Sequence, residues 1–192
     1  MRLSIIMPTI GRFSLWRALN SLVPQLEAGD EVLLVGDGPQ PIAKRASEVY
    51  GTSVRYVEHE PTHCFGNAQR QAGLAMASGD YVLFLDDDDI LIPSAFAVVR
   101  DAIRETADCP MLFQHIDRNG LVLWIDPVVR MGNVSTAQIV FPNRPEYLGA
   151  WKDVYEGDYW FIRSTLDTWP GGDAAVVWRP NILADCRPGA RY

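Results

Sequence analysis

The chain has 192 residues, 48% of them hydrophobic and 21% charged, and its 17 Lys and Arg against 24 Asp and Glu leave a formal charge of -7. This length fits one globular domain that buries about 70% of its unfolded surface, and the composition excludes disordered and fibrous classes. Basic residues scattered singly or in pairs such as Lys44-Arg45 lack the footprint that attracts phosphate backbones or anionic lipid, so nucleic acid is disfavoured as a partner.

Short apolar runs at 3–7, 31–35, 54–58 and 81–85 are bounded by Gly, Pro or Asp and read as buried strands. Between them, 13–23 carries Leu15, Leu19, Leu22 and Val23 at helical spacing, and 41–50, 66–78 and 93–106 read as three further helices. This alternation predicts a mostly parallel sheet covered on both faces, with function at the carboxyl ends of its strands. Beyond it come a strand at 111–116, an Asn119-Gly120 turn into 121–125, and a stretch interrupted by Pro and Gly as far as Tyr147. A helix over 153–166 and a strand over 174–178 follow, and the second half is expected to extend the same sheet in antiparallel fashion.

No apolar stretch approaches the roughly 20 residues of a membrane span, and the N-terminus lacks a secretion-signal pattern, so no integral membrane segment and a cytoplasmic location are expected. Cys64, Cys109 and Cys186 form no C-x-x-C pair, which predicts reduced, mostly buried thiols. His59, His63 and Cys64 lie around Pro61, where helical ligand spacing does not apply, so they are read as loop residues bordering a pocket rather than as a zinc site. The spacing of nine between Trp151, Trp160, Trp169 and Trp178 has no matching sequence between them and is not a repeat.

Three of the strand ends carry polar residues that can meet at one rim: Pro8-Thr9, Gly36-Asp37-Gly38 and Asp86-Asp87-Asp88-Asp89. Carboxylates gathered at a sheet edge repel unless a cation or a ligand donor compensates them. Hard carboxylate oxygens select Mg²⁺ or Mn²⁺. The simpler reading is a solvated acidic loop favouring the next helix's N-terminus; its place directly after a buried strand shifts the balance toward a site.

Ser4-Ile-Ile-Met-Pro-Thr9, Val35-Gly-Asp-Gly38, Gly66-Asn67 with Arg70, Ala77-Ser-Gly-Asp-Tyr81 and Leu85-Asp-Asp-Asp-Asp-Ile90 with Pro93 resemble, in order and spacing, the motifs of the inverting family 2 glycosyltransferases of the GT-A fold. The resemblance covers about the first half of the chain. It implies an α/β fold: a single Rossmann-like GT-A domain over 1–192, with a mixed sheet flanked by helices, 1–95 binding the nucleotide donor and 96–192 the acceptor. It implies that Thr9, beside Pro8, and Asp37 contact the nucleotide base, that Asp86 lies near the ribose with Asp87 beside it on the donor, and that Asp88, with Asp86, holds Mn²⁺ or Mg²⁺. Arg70 and Asn67 match positions near the donor phosphates or base. In Tyr155-Glu-Gly-Asp-Tyr159, Asp158 falls at the position of the catalytic base. Gly157 stands where the family usually has Glu, which leaves Glu156 as a second candidate.

The implied reaction is metal-dependent transfer of one sugar, with inversion, from a nucleotide-diphosphate sugar, UDP-linked as the first expectation, to an acceptor hydroxyl. A bound cation would stabilise the charge growing on the departing diphosphate. The acceptor is open among a glycan, a lipid-linked sugar, a protein side chain and a modified base, the last disfavoured by the acidic balance. Five of the six Trp lie beyond residue 120; Trp151 and Trp160, nearest the base segment, are the candidates for an acceptor platform.

Two rivals are a nucleotidyltransferase that makes nucleotide sugars and an inert nucleotide-sugar-binding module. The first needs a Gly-rich phosphate loop after strand one, where Pro8-Thr-Ile-Gly11 offers a single glycine. A haloacid-type phosphatase would carry its Asp-x-Asp after the first strand, not the fourth.

Overall fold

The structure, a computed structural model, describes residues 1–106 and 108–186; positions 107 and 187–192 of the predicted second half lie outside the described residues. Strands β1 (Leu3–Thr9), β2 (Glu31–Asp37), β3 (Val54–His59) and β4 (Tyr81–Phe84) run parallel in the order β3-β2-β1-β4. All seven residues of β1 are buried, which is why its sequence shows no alternation: both faces of the sheet are covered.

Helices α1 (Ser14–Leu22) and α2 (Pro41–Tyr50) close one face through Leu15, Leu19, Leu22, Ala43 and Ala46, which pack with Leu3, Ile5 and Met7. Helix α3 (Asn67–Met76) closes the other. It lies so near β1 that a Cβ at Gly73 would come 2.5 Å from Ile6 Cγ2, so only glycine fits there. Helix α4 (Ala95–Glu105) joins the first face through Phe96 and Val99.

The second half departs from expectation in three places. First, a short strand β5 (Ile90–Leu91) precedes α4, and β6 (Met111–Ile116) is followed by only two paired residues, β7 (Val122–Leu123). Second, the stretch read as irregular contains β8 (Ile139–Pro142), buried at all four positions and antiparallel to both β4 and β6. A run this short, ending in proline, is invisible to periodicity, yet it is the piece that joins the two halves of the sheet. Third, the last strand is β9 (Val177–Asp185), not 174–178, and it pairs parallel with β6. Its partner register jumps from Arg179 to Ile182, past Pro180, which has no N–H to give the ladder, and shifts again from Ile182 to Ala184. The sheet is therefore mixed, in the order β3-β2-β1-β4-β8-β6-β9-β5 with β7 beside β6. Helix α5 (Gly157–Thr168), begun four residues later than predicted, covers the α3 face through Phe161, Ile162 and Leu166. The cysteines carry no disulfide but are half-buried rather than fully buried.

Asp30 accepts hydrogen bonds from Leu3 N and Glu27 N, each at 2.8 Å, and pairs with Arg100 from α4; both side chains are buried. Asp30→Ala would leave the buried Arg100 guanidinium with only the exposed Glu27 carboxylate and Met1 O as partners, and a loss of about 3 kcal/mol is expected, measured as a lower urea midpoint. The paired change Asp30→Leu with Arg100→Met is expected to lose less, because no charge is left buried.

Candidate active site

The carboxyl ends of β1, β2 and β4, the N-termini of α3 and α5, and the far wall supplied by β6 and the segment before β8 enclose a cleft of about 630 Å³. Of the predicted residues, Pro8, Thr9, Asp37, Asn67, Arg70, Asp86, Asp87, Glu156 and Asp158 border it, whereas Asp88, the expected metal ligand, is not part of its lining.

Each strand end has a distinct task. Thr9 Oγ1 donates to Asp87 Oδ2 at 2.7 Å, Ile10 N reaches the same oxygen at 3.3 Å, and Arg12 Nη1 donates to Asp87 Oδ1 at 2.8 Å. Asp87, only 2% exposed, thus anchors the loop after β1, and Thr9 presents its hydroxyl to Asp87. Arg12 also ion-pairs with Asp88 Oδ2 at 3.3 Å. Asp37, at the end of β2, accepts from Thr62 N at 2.6 Å, His63 N at 3.0 Å and Gln69 Nε2 at 2.9 Å. The His63 ring nitrogen Nδ1 also lies 3.5 Å from its Oδ2.

Helix α3 is built around its buried polar face. Gly66 starts it at a φ of 78°, and a Cβ there would meet Pro8 Cβ at 2.9 Å; this left-handed, crowded position favours glycine. Arg70 Nη1 donates to Phe65 O at 2.9 Å and Asn67 Oδ1 at 3.0 Å, Nη2 pairs with Asp86, and the guanidinium lies 5.0 Å from the Trp151 ring centroid. Arg70 therefore holds the first aspartate of the acidic run in place and supplies the charge opposite it.

Asn67 joins α3 to the approach to α5. Its Nδ2 donates to Lys152 O and Val154 O, each at 2.8 Å, and a Cβ on Gly157 would lie 2.4 Å from that nitrogen. The Asn67 amide thus occupies the space a larger residue at 157 would need. Asp158 follows in the first turn, its Oδ1 accepting from Tyr159 N at 2.7 Å. Burial, aided by the nearby charge of Asp86 and opposed by Arg70, pushes its carboxyl up from 3.8 to about 6. Glu156 is exposed at the helix N-cap. The two candidate acids thus sit in different environments, Asp158 half-buried and Glu156 exposed.

Several site residues went unnoticed in the sequence. Gln69 is fully buried on α3 and braces Asp37 and Thr62; it sits in helical spacing like any surface glutamine, so nothing local distinguishes it. On the far wall, His115 at the end of β6 is 3% exposed with Ser135 Oγ 3.3 Å from its Nε2. Burial lowers its pKa to about 4, so it is neutral at pH 7. The expectation for tryptophan is corrected: Trp151 is in the core, stacked on Phe161 at 4.8 Å beneath Arg70, and Trp160 carries the Lys152 ammonium 3.9 Å from its ring centroid. The aromatic side chains on the cleft wall are Phe65, Tyr155 and Tyr159. His63 lies at the cleft's Asp37 end, its side chain 86% exposed. Among the described residues no group of three or more His, Cys, Asp or Glu is placed to hold a metal ion, and no helix is long and apolar enough to cross a membrane.

Solved structures share this architecture. That of S. aureus TarS superposes with a TM-score of 0.77 at 17% identity, over 97% of this chain and 36% of that one. TarS 1-349 in complex with UDP gives 0.76 at 18% identity, over 97% and 60%, and its complex with UDP-GlcNAc gives 0.76 at 17%, over 97% and 58%. The chain therefore spans between about a third and three-fifths of these proteins. No curated protein matches the sequence significantly. The family model described as glycosyl transferase family 2 matches residues 4–153, a span that takes in β1 through β8, the acidic run and the polar face of α3. With that match over most of its length and this cleft at the ends of its parallel strands, the chain belongs to glycosyl transferase family 2.

Proposed function

We propose that the protein transfers one sugar from a UDP-linked donor to an acceptor hydroxyl with inversion, using Asp158 as the general base. The observation that carries this reading is Asp158 itself: a half-buried carboxylate with its pKa raised to about 6, on the wall of the cleft that also holds Asp37, Arg70 and Asp86. A base of that strength is ionised at neutral pH yet holds a proton far better than an exposed aspartate. In the step, the acceptor oxygen bonds to the anomeric carbon from the face opposite the diphosphate and its proton passes to Asp158. The bond from the anomeric carbon to the diphosphate oxygen breaks, and that oxygen keeps the electron pair.

The donor half falls to residues 1–95. Asp37, a carboxylate on the cleft wall at the end of β2, suits an N–H on a base edge, and the structures of TarS 1-349 with UDP and UDP-GlcNAc make uracil the first choice. Arg70, a buried cation on the cleft wall, would face the donor phosphates. Residues 96–192 would supply most of the acceptor side, with Asp158, His115 and Ser135 on the cleft wall.

The residues fit a divalent cation of the hard class. Asp86 and Asp88 are partly exposed carboxylates from one loop, and two such ligands with the rest left to water and donor phosphates is the mode of Mg²⁺ or Mn²⁺. Bound there, the cation would offset charge on the departing diphosphate. Asp88 would then be shared with, or released by, Arg12.

A thermal-shift series with UDP, GDP, CDP and dTDP, each with and without Mn²⁺, tests the donor reading. UDP at about 100 times its Kd is expected to add roughly 2.7 kcal/mol to the folded state. The shift should depend on Mn²⁺ in the wild type and lose that dependence in Asp88→Asn. No shift with any nucleotide would overturn the donor reading, and with it both the transferase and the nucleotide-sugar-binding module.

A further inference from the structure

The cleft has an aromatic mouth that the donor chemistry leaves unused. Phe65 and Tyr155 are 61% and 68% exposed, yet their rings meet edge to face with centroids 5.5 Å apart at 83°, and both border the cleft. Phe65 holds a φ of 54°, a left-handed backbone that costs free energy for any residue with a Cβ. The surroundings enforce it: Arg70 Nη1 grips Phe65 O at 2.9 Å, and Asp37 pins Thr62 N and His63 N just upstream. Tyr155 is held from its own side, since Asn67 binds Val154 O at 2.8 Å. Two exposed rings on pinned backbone, rimmed by polar groups, mark a ligand surface.

The neighbours select the ligand. Tyr155 is followed at once by Glu156, and Asp158 lies three residues on, so the aromatic surface adjoins carboxylates that accept hydrogen bonds from hydroxyls. A hydrocarbon chain would leave those acids desolvated, and a polyanion would meet like charge from Glu156, Asp158 and Asp117. A pyranose fits both demands, with a face of C–H bonds for the rings and a girdle of hydroxyls for the acids. We propose that Phe65 and Tyr155 form the platform for a pyranose ring of the acceptor, presenting one of its hydroxyls to Asp158. This rests on the glycosyltransferase reading given above.

The test is saturation-transfer NMR on the intact protein, with and without UDP, using the methyl β-pyranosides of glucose, galactose, N-acetylglucosamine and N-acetylgalactosamine. Ring C–H protons of at least one glycoside should receive saturation, with binding about three- to tenfold weaker in Phe65→Ala/Tyr155→Ala and retained in Phe65→Tyr and Tyr155→Phe. Saturation unchanged in the double alanine variant, or absent for every glycoside, would overturn the platform. In a second arm, the ratio of UDP to UDP-GlcNAc dissociation constants should be the same in the wild type and the double variant. A changed ratio would assign the rings to the donor sugar and likewise overturn the proposal. A wild type that binds a glycoside on these rings but shows no UDP shift would instead refute the donor reading while supporting the platform.

Discussion

Asp158→Asn is expected to cut sugar transfer roughly 10²- to 10⁴-fold and, at pH 8, to make the protein more stable. The wild-type carboxyl sits at about 6 instead of 3.8, so the fold favours its protonated form. That contribution is fully present below pH 3.8 and is lost as pH rises through about 6, leaving the wild type with a penalty at pH 8 that the neutral amide avoids. The side chain keeps partial contact with the cleft solvent, so the penalty is discounted to about 2 kcal/mol, or about 5 °C in thermal midpoint for a chain of this size. Melting curves at pH 8 and pH 4 check it: the difference between variant and wild type should be present at the first and gone at the second. Activity of the wild type should fall about tenfold per pH unit below pH 6, since the base must be ionised to take the proton. An equal stability gain at both pH values would mean that the amide stabilises by packing, and full transfer by the variant would remove Asp158 as the base.

Gly157→Glu is expected to be damaging here. The new Cβ would lie 2.4 Å from Asn67 Nδ2, forcing apart the bonds from Asn67 to Lys152 O and Val154 O that hold the start of α5 against α3. Overpacking of this kind costs about 1–3 kcal/mol, and displacement of Asp158 by about an ångström would lower transfer on the order of 10²-fold. Asn67→Gly in the same chain removes the obstructing amide. The double variant should therefore recover stability beyond the sum of the single changes, a coupling measurable by denaturant midpoints in a double-mutant cycle. Strict additivity would show that residues 67 and 157 do not share this space.

Much of the molecule was legible before any coordinates. The first four strands and their helices announce themselves because both faces of a parallel sheet are buried: the strands become continuous apolar runs, and the helices show one apolar stripe. The acidic run, Asp37, Arg70 and Asp158 were legible through the order and spacing of motifs, which held them at strand and helix ends. β8 was not legible, because four residues carry too little periodicity and its identity as a strand comes only from pairing with β4 and β6. The tryptophans misled for a related reason: large aromatic residues serve core and surface equally, and Trp151 reaches the core only because α5 brings Phe161 beneath it.

The sequence alone therefore determined the parallel half, the family and the identity of the polar groups at the rim, since each depends on local pattern. Tertiary structure decided how those groups share their bonds. It gave Asp87 to Thr9 and Arg12, Asp86 to Arg70, and the Asn67 amide to the space beside Gly157. It also half-buried Asp158 while leaving Glu156 exposed, and placed Phe65 and Tyr155, 90 positions apart in the chain, edge to face at the cleft mouth. Burial and proximity between distant segments set these outcomes, and neither is a property that a short stretch of sequence contains.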